Sequence, residues 1–200
     1  MKRGCLIWII AGVVVALVVL GIFSWGTKTY NNMVKLQERV TSQWGNVETQ
    51  YQRRADLIPN FVNTVKGAAN FEQETLTRVI EARAKATQVT IDPTKMTADN
   101  LQQFQQAQNE VSSALSRLMV VVERYPELKA TQNYRDLQIE LEGTENRISV
   151  ERRKFNEDAQ SFNAYIKSFP QNIIAKMSGF TEKPYFKSTE GAENAPEVKF

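Results

Sequence analysis

From Cys5 to Trp25 the chain reads CLIWIIAGVVVALVVLGIFSW without a single charged group, and Lys2 and Arg3 stand just before it. About 20 apolar residues span the ~30 Å hydrocarbon core of a bilayer as a helix. Only a helix lets one isolated segment satisfy its own backbone polar groups there. The run therefore predicts a transmembrane anchor over residues 1–26, with the polar remainder of the chain in water. A cleavable signal is shorter and ends in small residues, and Phe23-Ser24-Trp25-Gly26 offers no such site, so the anchor is expected to stay. Cys5, the only cysteine, precedes the apolar run and so is not placed as a lipoprotein cysteine; it can form no intrachain disulfide. Trp8 and Trp25 sit near the two boundaries, where tryptophan is favoured. Lys2, Arg3 and the terminal amine oppose Lys28, Lys35 and Arg39 across the span. The N-terminal charges lie closer to the membrane and favour a cytoplasmic N-terminus, with the larger domain outside the cytoplasm.

Beyond the anchor, large or apolar residues recur at Leu36, Val40, Trp44, Val47, Tyr51, Ala55, Ile58, Val62 and Val65 in steps of three or four, one face of a helix. The phase passes through Pro59 without a slip, which predicts one long, kinked helix over 27–66 rather than two. A second helix is expected from an Asn70 cap, with Gln73 three positions on, to about residue 88, its inner face marked by Phe71, Leu76, Val79, Ile80 and Ala84. A third is expected from a Thr97 cap to Pro126, along Leu101, Phe104, Gln108, Val111, Leu115, Leu118, Val122 and Tyr125. A fourth begins near Thr131 and carries Tyr134, Leu137, Leu141, Ile148, Phe155, Ala159, Phe162, Ile166 and Phe169 to Pro170, with Glu145 and Arg152 interrupting the seam. No strand-like alternation of useful length precedes residue 178. The expected fold is all-α: the anchor, an elongated antiparallel four-helix bundle over 27–169, and an extended strap or tail over 170–200, whose 190–196 stretch has little to bury.

The unequal helix lengths predict four helices packed far from the bilayer and only the first and fourth paired near it. Part of their seam would then be open to a partner or a second copy.

Chemistry is constrained by absences. Without histidine, and with no cysteine beyond Cys5, Cys/His zinc sites, His-assisted nucleophiles and the Glu-x-x-His di-iron site of helical bundles cannot be built. No phosphate-binding glycine loop or nucleophile elbow occurs. No cofactor or metal is expected. A net charge of +3, spread along helices, gives no concentrated basic face for nucleic acid.

Two segments carry a family resemblance. TYNNMVKLQERVTSQWGNVETQYQRRADLIPNFVNTVKG at 29–67 resembles the opening helix of the bacterial LemA family. ENRISVERRKFNEDAQSFNAYIKSFPQNIIAKMSGFTEKPYF at 145–186 resembles its closing helix and tail, and EARAKAT at 81–87 fits the same pattern. The resemblance implies a single-pass envelope protein with an antiparallel helical bundle. It supplies no reaction and no catalytic residues.

Two polar groups are the candidate register or partner site: Arg53, Arg54 and Asp56 before Pro59, and Glu145, Asn146 and Arg147 on the fourth helix. An arginine of the first group is expected to pair with Glu145 and set the register of the long helices. If that pair is buried, Glu145→Ala would cost about 3–5 kcal/mol. Asn60, Asn63, Asn156 and Asn163 flank the seam and could bridge helices or line a peptide groove. The leading functional expectation is a non-enzymatic protein of the bacterial inner membrane that binds or organises other membrane or envelope proteins, or further copies of itself. The alternatives are a tethered ligand- or peptide-binding sensory domain around Arg53, Arg54 and Glu145, and a hydrolase using paired carboxylates, for which no suitably spaced pair stands out.

Overall fold

The computed structural model describes residues 3–67 and 71–187, with side chains from Trp8 onward. Among the described residues there is no strand: the chain is all-α. Helix α1 runs unbroken over Arg3–Lys66, 64 residues, or about 96 Å at 1.5 Å per residue. From Trp8 to Phe23 its apolar stretch is exposed, while burial on one face begins at Thr29 and Met33. The same helix is thus lipid-compatible surface at one end and protein core at the other.

Continuity through Pro59 has a structural cause. Proline lacks the N–H that would bond the carbonyl four residues back, here that of Ala55. Arg83 fills the gap from the neighbouring helix, its Nε donating to the Ala55 carbonyl oxygen at 2.6 Å.

Helix α2 spans Gln73–Gln88 and α3 spans Ala98–Val122. Asn70 lies outside the described residues. Glu72 occupies the N-cap of α2 and makes no side-chain capping bond. The inner face of α2 is Leu76, Val79, Ala82 and Ala86, whereas Ile80 and Ala84 are exposed. A four-residue step from Leu76 to Ile80 overshoots the contact line, which the three-residue steps to Val79 and Ala82 follow. Thr97 caps α3 as expected, in a reciprocal capping box with Asn100. A one-turn helix α4, Pro126–Lys129, precedes α5, Gln132–Lys167. Because α5 ends at Lys167, Phe169 leaves the seam and is 81% exposed.

Helix α1 packs antiparallel on α5, and α2 antiparallel on α3; the pairs share two cores. The distal core joins Ile58, Phe61, Val65, Leu76, Val79, Leu115, Leu118 and Leu141. The proximal core joins Met33, Val40, Trp44 and Phe104 with Phe155, Phe162 and Ile166.

The proximal half is not an open two-stranded stalk. A sixth helix not foreseen in the sequence, α6 over Gln171–Ser178, and the extended segment after it cover the α1–α5 seam, burying Ala175 and Phe186 in the proximal core. Gly179, at φ 75°, closes α6. The Phe180 N–H bonds the Ala175 carbonyl at 3.0 Å and the Gly179 N–H that of Lys176 at 3.4 Å, a Schellman arrangement that needs a left-handed residue at this position.

Candidate functional site

Arg54 is the largest buried cation of the bundle, 2% exposed, and its position follows from helix geometry. It lies three residues from Tyr51 and four from Ile58, on the seam face between them. Burying a guanidinium is tolerable only when its donors are met. Nη1 donates to Glu145 Oε1 on α5 at 2.6 Å and to Ser112 Oγ on α3 at 2.7 Å. Nη2 donates to the Gln108 side-chain oxygen at 2.6 Å and to the Gln108 carbonyl at 3.1 Å. Cζ also lies 5.2 Å from the Tyr51 ring centre. One cation therefore ties three helices together. Burial raises the Tyr51 phenol above its ordinary value, while the nearby Arg152 and Arg54 cations pull it back.

The other members of the two sequence groups do not join this node. One residue along the helix is a turn of about 100°, and Arg53 accordingly faces outward, donating to Glu140 at 2.7 Å. Asp56 accepts from Gln52 on the surface. Asn146 and Arg147 lie on the exposed side of α5, and Asn60 and Asn63 are exposed on α1. Gln108 and Ser112 were not foreseen as partners. The only hint was a glutamine standing between Phe104 and Val111 on an otherwise apolar seam.

A second feature holds the C-terminal strap. Asn163 donates to the Lys183 carbonyl and accepts from the Lys183 N–H, both at 2.8 Å. Asn156 does the same with Phe186, both at 2.9 Å. The side-chain amides thus imitate the edge of a strand. Seven helical residues rise about 10.5 Å and three extended residues about 10 Å, so the heptad spacing of the asparagines matches the strap. Gln105 on α3 and Arg152 on α5 grip the Lys187 carbonyl at 2.7 and 3.0 Å.

Between these clamps Phe186 enters an aromatic pocket. It stacks on Trp44 at 6.0 Å between centroids, meets Phe155 edge-on at 5.4 Å, and lies under Arg152 at 4.7 Å. Lys183 is buried with Nζ 3.2 Å from the Pro93 carbonyl. Burial lowers its pKa, and Asp92 partly offsets this.

The cleft beside the node, lined by Tyr51, Arg54, Arg83 and Gln108 among others, holds about 70 Å³. That is far below the ~300–1,000 Å³ of small-molecule sites. Among the described residues no group of three or more acidic or cysteine side chains is arranged to hold a metal.

Helices without strands among the described residues, with one exposed, membrane-length apolar stretch leading into a bundle, define a membrane-associated helical protein. Residues 43–200 match the model of the LemA family, and the chain belongs to that family. Similar proteins include magnetosome protein MamQ 2 of Paramagnetospirillum magneticum, 26% identical over 177 residues covering 79% of this chain and 64% of the relative. Protein LemA of Metamycoplasma hominis is 24% identical over 160 residues, covering 80% of this chain and 69% of the relative. This chain spans 64% of the length of the MamQ 2 and MamQ 1 relatives it matches.

Proposed function

We propose that this protein is a non-enzymatic, membrane-anchored envelope protein that binds or organises other membrane proteins through a rigid helical bundle. It would sit in the bacterial inner membrane with the N-terminus cytoplasmic and the bundle outside. The observation that carries this reading is α1, one unbroken helix whose exposed apolar end continues into the bundle core. A partner gripping either end is coupled mechanically to the other, with no loop between them to absorb motion. Two of the relatives are named as magnetosome proteins, which is compatible with it. In this reading Arg54 and Glu145 set the register of the long helices rather than contact a ligand.

Photocrosslinking in intact cells tests the proposal. Crosslinkers at exposed α1 positions such as Leu17 should trap the same membrane partner that bundle-surface positions trap, and removal of residues 1–25 should abolish both. Recovery of the monomer alone from every position would refute it.

The strap favours a second reading, a peptide-binding sensory domain, because its backbone is held as a groove holds a peptide. Under that reading the Phe186→Ala protein, with its strap loosened, binds a labelled peptide of residues 180–187 saturably by fluorescence anisotropy. Absence of binding would remove it.

A further inference from the structure

Helix α6 lies at the level where α1 leaves its exposed apolar stretch. The Ile174 Cδ1 atom stands 3.9 Å from the place a Cβ would occupy at Gly26, the residue after Trp25. Tyr30 of α1 meets Phe180, two residues past the C-terminal end of α6, at 5.7 Å between ring centroids. The middle of α6 and the residue just past its C-terminal end thus meet α1 within about one helical turn of each other, 5.4 Å of rise.

Its faces are sharply divided. Ala175 points into the proximal core. On the side away from the core, Phe169 before the helix, and Ile173 and Met177 within it, follow one another at four-residue steps; they are 81%, 51% and 83% exposed. Two large apolar groups on the exposed side of α6, with a third exposed just before it, need an explanation, because a soluble helix normally turns such a stripe inward. Lys176 is exposed next to Met177, and a cleft lined by Trp25, Lys28, Lys35 and Gln171 among others contains no acidic side chain.

We infer that α6 is an interfacial helix: Phe169, Ile173 and Met177 enter the boundary between headgroups and acyl chains of the same bilayer that α1 crosses. The inference rests on the membrane-anchored reading above. The occupant is lipid because Ile174, next to Ile173 on α6, meets α1 at Gly26, where the exposed apolar stretch of α1 ends, and because exposed apolar residues next to a lysine suit an interface rich in anionic headgroups. With α1 fixing position and α6 at the interface beside it, the bundle has two contacts with the membrane and a defined tilt. A single span alone would leave it free to rotate about its axis.

The test uses the full chain with Cys5→Ser, reconstituted at low protein density in phosphatidylcholine vesicles with and without phosphatidylglycerol. Single cysteines at Ile173 or Met177 carry an environment-sensitive fluorophore, and the lipids carry a quencher near the headgroup. Val14, within the span, is the lipid reference. Val120, 71% exposed on α3 near its distal end, is the water reference. Both labelled positions are already exposed, so the substitutions leave the core intact. The expected result is quenching at Ile173 and Met177 several-fold above that at Val120, strengthened by phosphatidylglycerol. Water-like signals at both α6 positions, with Val14 quenched, would overturn the inference and leave the anchor standing. Water-like signals at Val14 as well would overturn both. A blue shift at α6 that vanishes on diluting the protein in lipid would assign the stripe to a second copy and also overturn it.

Discussion

Glu145→Gln perturbs the Arg54 node with the least disturbance, since it keeps the side chain's size and an acceptor oxygen while removing the charge. Deleting one partner of a fully buried pair costs about 3–5 kcal/mol, and that range is the ceiling here. The side chain of Glu145 is 39% exposed while that of Arg54 is 2% exposed, and Arg54 keeps Ser112 and both oxygens of Gln108. The loss is then closer to one charge-assisted hydrogen bond, about 1.5–3 kcal/mol, with glutamine at the low end and alanine at the high end. Arg54→Ala should cost more, about 3–5 kcal/mol. It removes four hydrogen bonds, leaves Gln108 without its donor and opens a cavity. Urea unfolding of the full chain in detergent micelles, followed by far-ultraviolet circular dichroism, measures each variant and the double variant. The pair should show a coupling of about 1 kcal/mol or more. If both Glu145 variants stay within about 0.5 kcal/mol of the parent, or Arg54→Ala costs no more than Glu145→Ala, the node does not hold the helices as described.

Arg83→Met should destabilise by about 1 kcal/mol, the low end of the cost of a stranded acceptor, because the Ala55 carbonyl is only partly buried. In a Pro59→Ala background, where the backbone N–H is restored to the Ala55 carbonyl, that penalty should shrink in the same unfolding assay. Phe186→Ala should release the strap, at a cost of up to about 3–5 kcal/mol. Hydrogen exchange should speed up at the amides of residues 183 and 186, which Asn163 and Asn156 hold, and chymotrypsin should cut faster after Tyr185, while the distal core keeps its protection. At high pH the buried phenols Tyr51 and Tyr134, both raised above 10.0, stay protonated when folded after the unfolded chain has ionised. Stability is therefore present below about pH 10 and falls as pH rises above it. Tyr51→Phe should flatten that fall in urea midpoints measured across the alkaline range.

The helical seams were legible because burial repeats with the helix period, and Leu101 to Val122 on α3 lie in the core at the positions their spacing marks. The unbroken phase across Pro59 gave a continuous helix for the same reason. Period alone failed on α2. With few large residues, Ile80 fitted the pattern as well as Val79, and contact with α3 chose between them. Helix α6 escaped notice because eight residues hold too few turns to show a period, and its outward apolar stripe looks like inward core. The polar node was visible only as charges near seams. Which arginine turned inward was a matter of a single 100° step, and its partners Gln108 and Ser112 came from a helix more than fifty residues away. The asparagines one heptad apart were conspicuous, but their purpose depends on a strap that approaches them from another part of the chain.

Sequence alone determined the membrane-length apolar helix, the all-helical class and the long seams. Each follows from a local rule: apolar length against bilayer thickness, or period against helix pitch. Tertiary structure decided which cation is buried, how the carbonyl freed by Pro59 is satisfied, and what closes the base of the bundle. Those outcomes depend on which distant side chain arrives with a matching donor, acceptor or shape, and chain connectivity brings such groups together only after the helices have packed.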